Sequence, residues 1–134
     1  MVRLQKELAW VLVVDDSRDD VDLLLRAVQG RWPDYRFECA GDGAGALELL
    51  SREERQPALI LLDYRLPGMP SFEFLKRIRQ DAAMATIPVI AMSGDGDASA
   101  QAEIHGVRIE AFLAKVVDAD EFTADVRRLL SRWL

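Results

Sequence analysis

Apolar residues fall along the chain in two alternating rhythms. Five short runs at 10–14, 36–40, 58–62, 89–92 and 111–114 have the length of strands. Three of them (Trp-Val-Leu-Val-Val, Ala-Leu-Ile-Leu-Leu and Val-Ile-Ala-Met) are almost unbroken, as strands covered on both faces must be. The second, Arg36-Phe37-Glu38-Cys39-Ala40, mixes in polar residues and is predicted to lie at a sheet edge. Between the runs the period changes to that of helices. Val21, Leu24, Leu25 and Val28 define one buried stripe. Ala46, Leu49 and Leu50 define a second, Phe72, Leu75 and Ile78 a third, and Phe122, Val126, Leu129, Leu130 and Trp133 the last. A fourth helical segment around 98–105 is the weakest, built of small residues and closed by Gly106.

Breakers punctuate this order. Ser17, with Asp20 three residues on, has the signature of a capping box at the first helix. Pro33, Pro57, Pro67-Gly68 and Pro70 fall between elements, and Pro88 opens the fourth strand. The pattern predicts five β–α units, which right-handed crossovers fold into one doubly wound, parallel five-stranded α/β sheet. That domain spans residues 9–134, after an N-terminal extension of residues 1–8.

Composition narrows the class. The 134 residues suit one domain with a sizeable core. A single cysteine excludes an internal disulfide and a thiolate zinc cluster. No apolar run approaches the roughly 20 residues of a membrane helix, and Met1 to Lys6 carry no signal-peptide core. A net charge of −6 argues against nucleic-acid binding, which needs Lys and Arg against phosphate. A cytoplasmic domain without membrane or nucleic-acid partners is expected.

In such sheets ligands bind beyond the carboxyl ends of the strands. The first strand ends in Asp15-Asp16, the third in Asp63, the fourth in Ser93 and the fifth in Lys115. Three carboxylates, a hydroxyl and an amine are thus predicted at one edge. Carboxylates in such proximity repel and call for a cation, and a small set of hard oxygens suits Mg²⁺. A carboxylate beside Mg²⁺, with an amine and a hydroxyl near, is equipped as a nucleophile toward a phosphoryl group.

Five motifs in order carry a family resemblance. They are Val13-Val14-Asp15-Asp16-Ser17, Ala40-Gly41-Asp42-Gly43-Ala44-Gly45-Ala46-Leu47, Leu61-Leu62-Asp63-Tyr64-Arg65-Leu66-Pro67-Gly68-Met69, Ile87-Pro88-Val89-Ile90-Ala91-Met92-Ser93-Gly94 and Ala111-Phe112-Leu113-Ala114-Lys115. Over roughly residues 9–133 the chain resembles the receiver domain of two-component response regulators. The resemblance implies a flavodoxin-like three-layer fold with Asp63 as phosphoacceptor. It implies Asp16 as a direct Mg²⁺ ligand, Asp15 as a ligand through water, and the backbone carbonyl of Arg65 completing the metal site. Ser93 and Lys115 grip the phosphoryl group on this reading. Phe112 is either the switch aromatic that follows Ser93 inward or a core aromatic. The implied donor is a phosphohistidine on a histidine kinase or histidine phosphotransfer protein; His105, at a helix end, is not placed to be that donor.

Departures from the family pattern carry their own expectations. Val116 stands where the family has a proline after the lysine. A cis bond costs far more before a residue other than proline, about 2.5–4 against about 0.5–1 kcal/mol, so a trans bond and a changed loop are expected. The segment Val107-Arg108-Ile109-Glu110 is longer than usual, which implies a shortened fourth helix. Arg65 and Asp95 occupy the two variable positions flanking the site and are expected to pair across its mouth, modulating phosphate lifetime. Asp19 and Asp20 are read as first-turn acids that complement the helix dipole. Cys39 is read as a small buried hydrophobe, and Trp133 as the end of a packing stripe in preference to an exposed anchor for a partner.

The expected function is a single-domain response regulator that signals to a downstream protein by changing its binding surface, with a homodimer possible. It is not an enzyme beyond its own aspartyl phosphorylation and dephosphorylation. Two alternatives stand beside this: a receiver excised from a longer hybrid kinase or regulator, and a phosphorylation-independent interaction module with a vestigial site. A haloacid-type phosphatase would want a second Asp where Arg65 stands, and a flavin site a hydroxyl-rich loop where Asp15 and Asp16 stand.

Overall fold

A computed structural model describes residues 8–94 and 106–134. Strands β1 (Ala9–Val14), β2 (Tyr35–Ala40), β3 (Leu59–Asp63), β4 (Val89–Gly94) and β5 (Ala111–Lys115) form one sheet in the order β2-β1-β3-β4-β5, every pairing parallel. Helices α1 (Arg18–Val28), α2 (Gly43–Arg52), α3 (Ser71–Gln80) and α4 (Ala119–Leu130) are the four found among the described residues. This is the flavodoxin-like order, with β2 at an edge as its polar content predicts. The fourth helical segment at 98–105, His105 and Asp95 lie outside the described residues.

Side chains alternate across each strand, which splits the core into two layers. Leu12, Val14, Ile60, Leu62, Val89 and Ala91 face α2 and α3, where Ala46, Leu50, Phe74, Leu75 and Ile78 cover them. Val11, Val13, Leu59, Leu61, Ile90, Met92 and Leu113 face α1 and α4, met by Leu24, Ala27, Phe122, Val126 and Leu130. Trp10 seals the lower rim of the first layer. Its indole Nε1 donates to the carbonyl of Arg55 (2.8 Å), and the Arg36 guanidinium lies 5.2 Å from its ring centroid. Trp133 packs, half-buried, on the α1/α4 layer, as expected.

Two expectations need correction. Phe72 does not join the stripe of α3 but is 37% exposed, while Phe74 is fully buried in its stead. The cause is Ser71, buried at the start of the helix, whose Oγ donates between the carbonyls of Asp63 (2.7 Å) and Tyr64 (2.5 Å). That anchor sets the rotation of α3, so positions 71, 74, 75 and 78 form its inward face. Cys39, expected to be buried, is exposed near the end of edge strand β2. Partial burial and the charges of Glu38, Asp15 and Asp22 push its thiol above the ordinary range, which leaves it a poor nucleophile.

The segment 107–110 is tied down at the opposite end of the sheet. Glu110 Oε1 accepts from the Val89 N–H (2.6 Å) and from Arg79 Nη2 (2.9 Å). Arg79 also donates to the carbonyls of Ala85, Ile87 and Arg108, joining the end of α3 to the entries of β4 and β5.

Candidate functional site

The chemistry gathers where the predicted strand ends meet. Asp15 follows β1 directly, Asp63 ends β3, and Lys115 ends β5. Asp15 and Asp63 are each only 6% exposed, whereas Asp16 is exposed. Ligand atoms of Asp15, Asp16 and Asp63 all lie within 4.8 Å of one another. Lys115 Nζ enters this cluster, 2.7 Å from Asp15 Oδ2 and 3.2 Å from Asp63 Oδ2. The Lys115–Val116 bond is trans, as expected, since no cis peptide occurs among the described residues. The ammonium therefore reaches the acids without the family's proline.

Local structure explains the placement. Ser17 caps α1, its Oγ accepting from the Asp20 N–H (3.3 Å). The other half of a capping box is not formed by Asp20. Asp15 Oδ1 takes the Ser17 N–H instead (2.9 Å), and Asp20 Oδ2 turns to Lys115 Nζ (3.0 Å). Asp20 is thus a site contact that the dipole reading missed. Replacing Ser17 with alanine removes the cap and is expected to cost about 1 kcal/mol, read as a lowered urea midpoint.

The remaining sequence-predicted residues stand around this centre. Ser93 is buried in β4, and its hydroxyl donates to the Gly94 carbonyl (3.1 Å). The Arg65 N–H donates to Asp63 Oδ1 (3.2 Å). Phe112 is half-buried against the α2/α3 core layer. Asp95 lies outside the described residues, so its pairing with Arg65 receives no structural account. The Gly-rich stretch 41–45 is a turn and helix start: Asp42 caps α2 by accepting the Gly45 N–H (2.7 Å). A cleft of about 550 Å³ opens over Asp20 and Asp63, lined also by Leu23, Arg65, Gly94, Lys115, Val116 and Val117.

Electrostatics divide the carboxylates. Burial raises the Asp63 pKa, Lys115 opposes this, the charge of Asp15 adds to it, and the net result is about 6. For Lys115, burial pulls the pKa down, but hydrogen bonds to Asp15 and Asp20 and the charges of Asp15 and Asp63 outweigh this and hold it above its usual value. One ammonium cannot fully compensate three acids. Its shortest contact goes to Asp15, and Asp63 carries the residual strain. The oxygen-only donor set of Asp15, Asp16 and Asp63 fits a hard divalent cation such as Mg²⁺, which would relieve that strain.

Fold and site together define a doubly wound α/β domain with an acidic centre and a lysine at the carboxyl edge of its sheet. A family model described as the response regulator receiver domain matches residues 11–127, and the chain belongs to that family. The two-component response regulator ORR3 of Oryza sativa is 35% identical over 122 residues, covering 91% of this chain and 88% of that protein. Response regulator Rre1 of Synechocystis is 30% identical over 125 residues, and this chain spans about half of its length (52%). The solved structure of the Mn²⁺-bound form of response regulator Rcp1 superposes with a TM-score of 0.83 at 24% identity, over 94% of each chain, which supports the fold. Receiver domains are signalling modules of two-component systems, phosphorylated by histidine kinases or phosphotransfer proteins, and they bind Mg²⁺ at an acidic pocket. No helix among the described residues is long and apolar enough to cross a membrane.

Proposed function

We propose that this chain accepts a phosphoryl group on Asp63 from a phosphohistidine of a kinase or phosphotransfer protein, and signals by altering its protein-binding surface. The observation that carries this is the convergence of Asp63, 6% exposed, with Lys115 at 3.2 Å and with Asp15 and Asp16 inside one 4.8 Å cluster. An Asp63 carboxylate oxygen attacks phosphorus; the O–P bond forms as the N–P bond breaks, and the departing imidazole takes its proton from solvent. Lys115 neutralises the phosphoryl oxygens, and the Ser93 hydroxyl turns from the Gly94 carbonyl to donate to one of them. Asp15, Asp16, Asp63 and the Arg65 carbonyl would hold Mg²⁺, which when bound neutralises charge on the acids and on the transferring group. Phe112 follows Ser93 inward, and Arg65 at the rim of the cleft modulates phosphate lifetime together with Asp95.

The chain spans 88% of the length of ORR3 and 52% of that of Rre1. The test is incubation with acetyl phosphate followed by intact-mass and peptide analysis. The expected result is one phosphoryl group on Asp63, dependent on Mg²⁺ and absent from Asp63→Asn. A wild type that takes no label under these conditions favours the phosphorylation-independent module.

A further inference from the structure

An ammonium has three N–H donors. Three carboxylates crowd those of Lys115: Asp15 at 2.7 Å, Asp20 at 3.0 Å and Asp63 at 3.2 Å. They are not equivalent. Asp15 and Asp63 stand at strand ends with side chains 3% and 8% exposed, while Asp20 reaches in from the first turn of α1 with its side chain 44% exposed. Asp20 is also not one of the three acids whose ligand atoms converge within 4.8 Å. The two buried acids suffice to hold the ammonium in place. The Asp20 contact therefore adds competition for Lys115, not placement.

We propose that Asp20, acting through Lys115, is a brake on phosphoryl occupancy: it draws one N–H of Lys115 toward α1 and away from the group carried on Asp63. The proposal rests on the reading of Asp63 as phosphoacceptor. When Asp63 is esterified, Lys115 must turn an N–H to a phosphoryl oxygen. Asp15 stays engaged, because its other oxygen is fixed by the Ser17 N–H at 2.9 Å. Asp20 is then the partner with which the phosphoryl group competes. Its charge also lines the same cleft of about 550 Å³ and repels an incoming anion. The Ser17 cap holds Asp20 in this position through the Asp20 N–H.

The test uses the full 134-residue chain with beryllofluoride as an unreactive phosphoryl mimic at saturating Mg²⁺. Asp20→Ala is expected to bind it about five-fold more tightly than wild type, on the scale of one charge-assisted hydrogen bond redistributed at a partly exposed site. The same variant should lose its acyl phosphate more slowly. Asp20→Asn, which keeps an acceptor but not the charge, should fall between wild type and Asp20→Ala. A gain in affinity is a readout that simple structural damage does not produce. Equal or weaker binding by Asp20→Ala, with wild type still binding the mimic and taking label on Asp63, overturns the brake. A wild type that neither binds the mimic nor takes label overturns the phosphoacceptor reading itself.

Discussion

Replacing Lys115 with methionine is expected to destabilise the metal-free protein by about 3 kcal/mol at pH 8, the lower end of what losing one partner of a buried ion pair costs. The lysine side chain is 15% exposed and serves two carboxylates that are 3% and 8% exposed. Methionine fills a similar volume, so little cavity is left and the loss is mainly electrostatic. Asp15 and Asp63 then face each other without a cation, and Asp63, whose carboxyl pKa burial already raises, loses the ammonium that opposes the rise. The sign follows: a carboxyl pKa raised on folding gives stability that is lost as pH rises through it. The penalty should therefore shrink on acidification toward pH 5 and grow toward pH 8. Urea unfolding in the presence of a chelator at both pH values measures this. A variant that matches wild type at pH 8 would show that Lys115 does not hold the pair.

The outline of this site is legible in the sequence because parallel strands buried on both faces read as nearly continuous apolar runs, and such a run shows where it ends. Asp15, Asp63 and Lys115 stand at those ends, and the sheet brings them together. What stays hidden depends on tertiary contacts. Phe72 and Phe74 are both aromatic, and only the bond from Ser71 back to the Asp63 and Tyr64 carbonyls decides which one faces the sheet. The Arg79–Glu110 tie joins residues 31 positions apart, with no local pattern to announce it. Asp20 is the instructive case. A first-turn acid looks the same whether it serves the helix dipole or a distant lysine. One signal could have singled it out: side chains in the first turn tilt back toward the helix N-terminus, here toward the strand ends where Lys115 was already placed.

Asp63→Asn is expected to have the opposite effect on stability. Removing the acid should raise the stability of the metal-free protein at pH 7.5, although on the proposed function it removes the phosphoacceptor. Burial lifts the Asp63 pKa from the ordinary 3.8 to about 6, with the charge of Asp15 adding to it and Lys115 only partly offsetting it. The native protein thus binds this proton more tightly than the unfolded chain, and the stability this provides is present below about pH 4 and lost as pH rises through about 6. The displacement bounds the effect near 3 kcal/mol. Solvent at the mouth of the cleft reduces it to about 1–2 kcal/mol. An asparagine does not titrate, so the two proteins should unfold at similar urea concentrations at pH 4 and diverge in favour of Asp63→Asn by pH 7.5. Mg²⁺ should then close the gap, because a ligand stabilises whichever native state binds it better, and wild type keeps all three acids. Identical midpoints at both pH values would mean that the charge on Asp63 is not strained. A gap that Mg²⁺ leaves unchanged would mean that Asp63 does not help hold the metal.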